Sequence, residues 1–272
     1  MSEDRVSITI TDGIADVRMT RADKRNALDG AMFEALAAAG ERLKTEPGVR
    51  VVVLSGEGSS FCAGLDFGTM AALAGGGNGE ERREGNPGAI KEGAITHLGQ
   101  QVCWVWQEVP VPVIAAVHGH AIGGGIQVAL GADIRIVHPD TQMSVREIHW
   151  GLVPDMTGTM MLSQLVRADV AKDLVLTARM FDGREAHALG IATRLSDNPY
   201  DDAMAMAREI AGRSPDAVRG AKALMNGLFN QGAAEQFAAE RARIGALIGR
   251  PNQVEAVMSN FEKRPANFTD PS

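Results

Sequence analysis

The amino-acid sequence predicts an α/β fold of stacked ββα units, followed by a helical C-terminal subdomain. A buried strand leads into a glycine-rich loop twice: Val49 to Leu54 precedes SGEGSSFCAGLDF, and Val113 to Val117 precedes HGHAIGGG. Both loops lead into helical patterns, and this repetition favours stacked ββα units over a dinucleotide-binding fold. From Tyr200 onward the composition shifts to Ala, Met, Arg and Glu, with apolar residues at helical spacing. We therefore expect a core over residues 1–198 and a helical subdomain over residues 199–272.

The composition is typical of a soluble globular protein. The 272 residues are 45% hydrophobic and 22% charged, and the net charge of −7, with no basic stripe, argues against a nucleic-acid partner. No apolar segment reaches the length of a membrane span, so we expect no membrane association, and the acidic start of the chain shows no secretory signal. Cys62 and Cys103 form neither a disulfide framework nor a metal-binding spacing, which indicates a reducing, cytoplasmic environment.

The N-terminal part of the chain alternates between strand and helix signals. Val6 to Ile10 and Ile14 to Met19 are β-prone and flank Thr11-Asp12-Gly13, a hairpin signal. Asp29 is a candidate N-cap for a helix from Met32 to Lys44. The next predictions are a helix that begins near Asp66, a polar surface loop over Ala74 to Gly88 and a helix from Ile90 to Glu108.

The alternation continues beyond the second glycine-rich loop. Ile134 to Val137 and Met143 to Val145 are predicted strands, and residues 146–151 are a predicted loop. Asp155 to Thr159 open a predicted helix that runs to about Val166, and a second helix is predicted from Val170 to Thr177. A short strand and helix start are predicted over Phe181 to Ala186, followed by a strand from Thr193 to Leu195. Breaks at Ser214-Pro215, Gly232 and Pro251 divide the C-terminal region into several helices.

Gly123-Gly124-Gly125 lies at a predicted strand-to-helix junction, and its role has three interpretations. Consecutive glycines let a backbone approach a neighbour closely and leave free N–H groups at the helix start. The first interpretation is a tight turn that needs glycine for steric reasons. The second is dinucleotide binding, although the pattern is G-x-x-x-G-G-G rather than G-x-G-x-x-G. The third is an oxyanion hole, which requires a second donor and an acid or base nearby.

The FCAGLD and GGG loops, with their spacing along nearly the whole chain, resemble the crotonase (enoyl-CoA hydratase/isomerase) superfamily. The resemblance implies a crotonase-like spiral of ββα units and an acyl-CoA thioester substrate. Coenzyme A is then part of the substrate, and neither a separate cofactor nor a metal is expected. In that family two backbone N–H groups polarise the thioester carbonyl, and the matching positions here are Leu65 and Gly124. Each such donor stabilises an enolate oxygen by about 3 kcal/mol.

The resemblance also implies a coenzyme A site and an assembly. The matching positions are Lys24, Arg25, Ala27, Ala63, Asp66 and Lys263. The first three lie in the loop that holds the adenosine and phosphates in the family, and the next two flank the adenine. Lys263 matches a C-terminal lysine that reaches the nucleotide phosphate from the same or a neighbouring subunit; a solvated surface charge is the alternative. Family members assemble through their C-terminal helices, so we expect a homotrimer or hexamer.

The type of reaction depends on two positions. Hydratases of the family carry two glutamates, and the matching positions here are Gln127 and Glu147. Glutamine forms hydrogen bonds but does not exchange a proton at neutral pH, which disfavours efficient hydration. One carboxylate is enough for a double-bond isomerase, and a glutamate in an apolar pocket has a raised pKa that suits a base near neutrality. A loop salt bridge with Arg146 or another basic residue is the alternative role of Glu147.

Asp155 follows Glu147 by eight residues, the spacing of the second acid in dienoyl-CoA isomerases. Those enzymes usually carry an aspartate at the position of Gln127. The alternative role of Asp155 is an N-cap for a helix that begins near Met156. The following histidines show no metal-ligand pattern and are assigned to structure or to pocket lining: His118, His120 and His149.

The sequence therefore predicts an acyl-CoA enzyme of the crotonase fold with Glu147 as the proton carrier, and favours double-bond isomerisation over hydration. Enoyl-CoA hydratase and dienoyl-CoA isomerase are the alternatives within this class. A non-catalytic acyl-CoA-binding or assembly subunit is the alternative outside it.

Overall fold

A six-stranded sheet forms the centre of the molecule, which a computed structural model describes over residues 5–74, 90 and 93–268. In chain order the strands are β1 (Val6–Thr11), β2 (Ile14–Met19), β3 (Val51–Gly56), β4 (Val113–Val117), β5 (His120–Ile122), β6 (Ile134–Val137), β7 (Gln142–Ser144) and β8 (Arg194–Leu195). The main sheet has the spatial order β1-β2-β3-β4-β6-β8, and all its neighbouring strands are parallel except β1 and β2. β5 and β7 form a separate parallel pair.

Helices connect the parallel strands and make up the C-terminal region. In chain order they are α1 (Gly30–Thr45), α2 (Phe67–Ala74), α3 (Leu98–Glu108), α4 (Gly124–Gly131), α5 (Gly158–Leu165), α6 (Ala168–Thr177), α7 (Gly183–Leu189), α8 (Pro199–Ala211), α9 (Pro215–Phe229), α10 (Ala233–Leu247) and α11 (Pro251–Glu262). Two 3₁₀ turns, Ala22–Lys24 and Glu147–Trp150, interrupt the loops. The second turn carries the glutamate predicted to move a proton.

The N-terminal hairpin and the first helix follow the sequence prediction. Asp12 and Gly13 both have positive φ, +52° and +80°, as a two-residue hairpin turn requires. Asp29 caps α1, because its carboxylate accepts a hydrogen bond of 2.9 Å from the N–H of Met32. The helix starts at Gly30, two residues before the predicted start, since the cap position fixes the first turn.

The helix predicted from Ile90 to Glu108 is wrong over its first part. α3 begins at Leu98, and Ile90 instead pairs with His97 in an isolated antiparallel bridge. The Nδ1 atom of His97 accepts the N–H of Gln100, whose side-chain oxygen accepts the N–H of His97 in return. This capping box uses histidine in place of Ser or Thr, so the usual helix-start signal is missing. Beyond Ala74, the predicted surface loop lies outside the described residues.

Both faces of the sheet are buried at its central strands, β3 and β4. One face packs against α1, α3 and α4 around Leu54 and Ala115, and the other packs against α8, where Val53 and Ala116 meet Ala203. Burial on both faces explains why β3 and β4 read as continuous apolar runs. The two glycine-rich loops follow the carboxyl ends of these two strands, which is where open parallel sheets bind ligands.

The C-terminal helices differ in how much of their apolar surface they bury. α8 lies on the sheet, α10 places Phe237 in the main core with its ring 4.9 Å from Trp104, and α11 packs on α2 and the second 3₁₀ turn. α9 leaves four large apolar side chains exposed: Leu224, Met225, Leu228 and Phe229. Over the described ranges, no helix is long and apolar enough to cross a membrane.

Candidate active site

The two glycine-rich loops lie against each other. The N–H of Cys62 donates to the carbonyl of His120 at 2.9 Å, and the N–H of Ile122 donates to the carbonyl of Cys62 at 3.2 Å. Gly64 has φ +91°, and a Cβ atom there would come within 2.5 Å of the carbonyl oxygen of Ile122. Glycine is therefore required at this position, because both the backbone conformation and the close approach exclude a side chain.

The N–H groups of Leu65 and Gly124 point away from the hydrogen bonds that join the loops. Leu28 forms a parallel bridge with Leu65, in which the N–H of Leu28 donates to Gly64 at 2.8 Å and the N–H of Asp66 donates to Leu28 at 3.0 Å. In such a bridge the central residue's own N–H points to the opposite side. Gly124 is the first residue of α4, so its N–H has no acceptor within the helix. Neither N–H has an acceptor among the described residues.

The carboxyl group of Glu147 lies beside the glycine triplet. A Cβ atom on Gly123 would be 3.5 Å from Oε1 of Glu147, and this oxygen accepts a hydrogen bond of 2.6 Å from Nε2 of Gln127. The other carboxyl oxygen, Oε2, is buried without a hydrogen-bond partner in the described part of the chain. Burial raises the pKa of Glu147 to about 7, although the hydrogen bond from Gln127 lowers it. The group is therefore poised to exchange protons near neutral pH, and the alternative of a salt bridge with Arg146 is not observed.

The orientation of the Gln127 amide is fixed by the backbone. Its Oε1 atom accepts the N–H of Met156 at 3.0 Å and the N–H of Gly158 at 2.9 Å. A Cβ atom on Gly158 would come within 2.7 Å of the Gln127 amide carbon, so the glycine allows this approach. With the oxygen occupied by two donors, the NH₂ group must face Glu147.

The predicted N-cap role of Asp155 is wrong. α5 begins at Gly158, and the residue at its N-cap is Thr157, whose φ of +67° places the helix start two residues later than predicted. Asp155 is partly buried in the turn that precedes the helix. Burial, together with the negative charges of Glu147 and Glu240, raises the pKa of Asp155 to about 8. The side chain is thus electrostatically coupled to the Glu147 carboxyl.

Glu240 is a buried carboxylate that the sequence reasoning missed. It lies on α10, and its oxygens accept the N–H of Thr157 at 3.1 Å, Nε2 of Gln100 at 3.1 Å and the hydroxyl of Thr159. Burial raises its pKa. One sequence signal could have identified it: Glu240 lies on the same helical face as Ala233 and Phe237, which are core residues.

Most predicted coenzyme A positions lie on two adjacent loops. Lys24 and Arg25 are exposed, Ala27 is buried, and the N–H of Ala63 donates to the carbonyl of Arg25 at 2.9 Å. Asp66 forms an ion pair of 2.8 Å with Arg21, which the sequence reasoning missed because a loop arginine reads as a solvated charge.

Lys263 follows the last helix and is exposed. The ring of Phe261, two residues earlier, lies 6.2 Å from the ring of Phe67 at the start of α2. The end of α11 therefore reaches the loop of Asp66 within one chain.

The remaining histidines and cysteines take local roles. Nε2 of His118 lies 3.0 Å from the carbonyl oxygen of Gly58, Nδ1 of His120 lies 2.9 Å from the hydroxyl of Ser60, and His149 packs edge-on against Trp150. Both cysteines are buried free thiols. Among the described residues, no group of His, Cys, Asp and Glu side chains could hold a metal ion.

Known proteins match this chain along nearly its whole length. Residues 9–271 match the family described as enoyl-CoA hydratase/isomerase. A probable enoyl-CoA hydratase of Mycobacterium leprae is 31% identical over 97% of this chain and 98% of its own. Human mitochondrial methylglutaconyl-CoA hydratase is 29% identical over 94% of this chain and 74% of its own. The crystal structure of an enoyl-CoA hydratase/isomerase from Mycobacterium paratuberculosis has a TM-score of 0.85 at 22% identity, over 94% of this chain and 98% of that chain, and this confirms the predicted fold class.

Proposed function

The chain belongs to the enoyl-CoA hydratase/isomerase family and is an acyl-CoA enzyme, and within that family we propose that it moves a double bond by carrying a proton on Glu147. The Glu147 carboxylate takes a proton from the carbon beside the thioester, and the C–H electron pair moves into a dienolate. The same carboxyl group then returns the proton to the carbon at the far end of the dienolate. The double bond moves by one position, and the enzyme regains its starting state.

The N–H groups of Leu65 and Gly124 are the proposed oxyanion hole. Proton removal places negative charge on the thioester oxygen, and donors aimed at that charge stabilise the transition state by about 3 kcal/mol each. Both N–H groups lie on loops that are hydrogen-bonded together, and both lack an acceptor in the described part of the chain. This arrangement supports the oxyanion hole over the alternatives of a simple turn and a dinucleotide site.

The observation that carries the proposal is the pairing of Glu147 with an amide rather than with a second carboxyl. The Glu147 oxygen Oε2 is buried and unpartnered, and the raised pKa of about 7 suits both removal and return of a proton. The Gln127 amide is oriented by two backbone N–H groups and only donates toward Glu147. A single titrating group in this contact fits proton return to the substrate better than activation of water.

Hydration is the first alternative. The similar proteins from M. leprae and human mitochondria carry the name hydratase. If this chain hydrates efficiently, a second acid must replace the glutamate missing at position 127. Asp155 is a candidate because burial, together with the charge of Glu147, raises its pKa to about 8.

A dienoyl-CoA isomerase is a second candidate that a specific observation favours. Asp155 does not cap α5, and burial together with the charges of Glu147 and Glu240 raises its pKa to about 8, which keeps it protonated at neutral pH. An acid and a base at the two ends of a conjugated system move protons over a longer distance than one carboxyl does. Asp155→Asn separates the mechanisms: a loss comparable to that of Glu147→Gln, with α5 intact by circular dichroism, supports the two-acid mechanism.

Deuterium exchange separates the enzyme from a non-catalytic acyl-CoA-binding subunit. The protein is incubated in D₂O with a saturated acyl-CoA, which has an α-proton but no double bond to move. Nuclear magnetic resonance then follows the α-proton signal. An enzyme that forms the enolate exchanges this proton, whereas a binder leaves it in place, and the absence of exchange would contradict the proposal.

We also propose that coenzyme A lies along the loops of Lys24, Arg25, Ala27 and Ala63, with Lys263 at the phosphates. The ion pair of Asp66 with Arg21 indicates that Asp66 contributes to this site by holding the two loops together. Lys24→Ala and Lys263→Ala should each raise KM for acyl-CoA and leave kcat unchanged. An unchanged KM in both variants would place the phosphates elsewhere.

The exposed face of α9 is the proposed assembly surface for a trimer or hexamer. Leu224 and Leu228 are 79% and 63% exposed, and exposed clusters of large apolar side chains indicate an interface. Leu224→Glu combined with Leu228→Glu should yield smaller species in light scattering, while Leu176→Glu, at an exposed apolar residue on α6, serves as the control. A wild-type monomer at micromolar concentration would refute the assembly.

A further inference from the structure

The turn that precedes α5 is held from two opposite sides. The N–H groups of Met156 and Gly158 donate to Oε1 of Gln127, at 3.0 and 2.9 Å. The N–H of Thr157, which lies between them, donates to Oε2 of Glu240 at 3.1 Å. Three successive N–H groups therefore alternate between the amide that contacts Glu147 and a carboxylate on a distant helix.

The backbone of this turn is strained at Thr157. This residue has φ +67°, a left-handed conformation that a β-branched side chain disfavours. Its hydroxyl group is buried without a hydrogen-bond partner in the described part of the chain, so no side-chain hydrogen bond offsets the strain. Strained conformations persist only where the surroundings over-determine them, and they cluster at functional sites. Thr157 is held in this conformation by the hydrogen bonds of Met156 and Gly158 to Gln127 and by its own hydrogen bond to Glu240.

Glu240 is itself firmly fixed. Besides the N–H of Thr157, it accepts hydrogen bonds from the hydroxyl of Thr159 and from Nε2 of Gln100, and the residue is 4% exposed. Gln100, on α3, also donates to the carbonyl of Phe237 and accepts from Arg241, so the partner of the carboxylate is itself held between α3 and α10. A fixed carboxylate can hold the turn in one position.

We propose that Glu240 is a positioning residue for proton transfer: it holds the Thr157 turn so that Gln127 is anchored on Met156 and Gly158 and presents its NH₂ group to Glu147. The chain of contacts runs from Glu240 through the Thr157 backbone and the Gln127 amide to the Glu147 carboxyl. Glu240 touches neither Gln127 nor Glu147 by a hydrogen bond, so it acts through the turn. The kinetic part of this inference rests on the proposed role of Glu147, but the structural part does not.

Two variants distinguish the effect of holding the Thr157 turn from the effect of the negative charge of Glu240. In Glu240→Ala the turn loses its anchor, and kcat should fall by about 10- to 100-fold with little change in KM, because the proton carrier is misplaced while the coenzyme A loops are untouched. In Glu240→Gln the amide oxygen can still accept from Thr157 and Gln100, and its NH₂ can donate to the Thr159 hydroxyl. This conservative variant should therefore recover most of kcat. It removes a negative charge that raises the pKa of Glu147, so its pH–rate profile should shift to lower pH.

Phe237→Leu is the matched control on the same helix. It removes packing against Trp104 and lowers the melting temperature, but it leaves every hydrogen bond of the turn in place. If Glu240 only stabilises the fold, Phe237→Leu and Glu240→Ala should lose the same fraction of kcat for the same decrease in melting temperature. That result would overturn the inference.

Amide hydrogen exchange provides a readout that does not need the reaction. The backbone N–H groups of Met156 and Gly158 and the side-chain NH₂ of Gln127 should exchange faster in Glu240→Ala than in wild type or in Phe237→Leu. Unchanged exchange in Glu240→Ala would overturn the inference, whatever the activity. If instead exchange accelerates while Glu147→Gln keeps full activity, the positioning of Gln127 stands and the proposed role of Glu147 is wrong.

Discussion

The two sides of the candidate site differ in composition: one consists of backbone groups and the other of side chains. The donor side consists of backbone N–H groups at Leu65 and Gly124, which two bridges between short loops hold in place. The carboxyl side consists of side chains from four separate places in the chain: Gln127, Glu147, Asp155 and Glu240. A backbone donor tolerates most side-chain changes, because only loss of the N–H or distortion of the loop removes it. A side-chain network is sensitive to the replacement of a single oxygen by an amide nitrogen.

The largest effect is expected on the carboxyl side, from Glu147→Gln. The variant keeps the size of the side chain and can still accept the hydrogen bond from Gln127, but it cannot titrate. We expect double-bond migration to fall by about a thousandfold or more, with acyl-CoA affinity by calorimetry within a few-fold of wild type. Wild-type rates in this variant would show that another group carries the proton.

On the donor side, Gly124→Pro should lower kcat by about 10²- to 10³-fold, because proline removes the N–H that we propose faces the developing charge. Proline is tolerated at the first position of a helix, so circular dichroism should show a folded protein.

Gly124→Ala provides the matched control, since it keeps the N–H. Its Cβ atom would lie 2.7 Å from Leu28 Cδ1 and 3.0 Å from Met156 Sδ, so these flexible side chains must shift. Near-normal activity in folded Gly124→Pro, or equal losses in both variants, would contradict the oxyanion assignment.

Gln127→Glu should have an intermediate effect that depends on pH. The new carboxylate would accept the N–H groups of Met156 and Gly158 and face Glu147 at the 2.6 Å contact, so it should remain ionised and raise the pKa of Glu147 further. Because the proposed mechanism requires the base form of Glu147, isomerisation at pH 7 should fall by about tenfold and recover at higher pH. Hydration of a short trans-2-enoyl-CoA should become measurably faster. An unchanged pH–rate profile would contradict the coupling.

The smallest expected effect concerns stability. The pKa of Glu147 is raised to about 7 in the folded protein, so the folded state binds its proton more tightly than the unfolded state does. This contribution is fully present at pH 4 and is lost as the pH rises through 7. Relative to wild type, Glu147→Gln should therefore gain about 1–3 kcal/mol of unfolding free energy between pH 4 and pH 8. Urea denaturation at the two pH values measures this gain, and a constant difference would contradict a raised pKa of Glu147 in the folded protein.

The two loops that carry the proposed donors could be predicted from the sequence because each of their parts is local. FCAGLD and GGG are contiguous, and glycine suits the backbone at Gly64, with φ +91°, and at Gly123, with φ +55° and ψ −120°. Apolar runs located the strands on which the loops sit. These short-range signals require no knowledge of which distant helix packs nearby.

The carboxyl side could be predicted only in part. The resemblance to the family points to Gln127 and Glu147 through their spacing from the glycine triplet. Glu240 lies 83 residues from its partner Thr157, and no motif marks it. The wrong prediction for Asp155 has a related cause, since the positive φ of Thr157 delays α5 to Gly158. Long-range hydrogen bonds determine both the burial of Glu240 and the backbone conformation that precedes α5.

The most direct test of single-carboxyl isomerisation is to measure how wild-type enzyme partitions its substrates. A 3-enoyl-CoA and a trans-2-enoyl-CoA are each incubated with the protein, and chromatography quantifies the migrated double bond and the 3-hydroxyacyl-CoA formed by water addition. With Glu147 as the one proton carrier and Gln127 unable to titrate, migration should be fast and hydration slow. Hydration at rates typical of an efficient enzyme would show that Gln127 is no obstacle, and it would contradict the proposed isomerase.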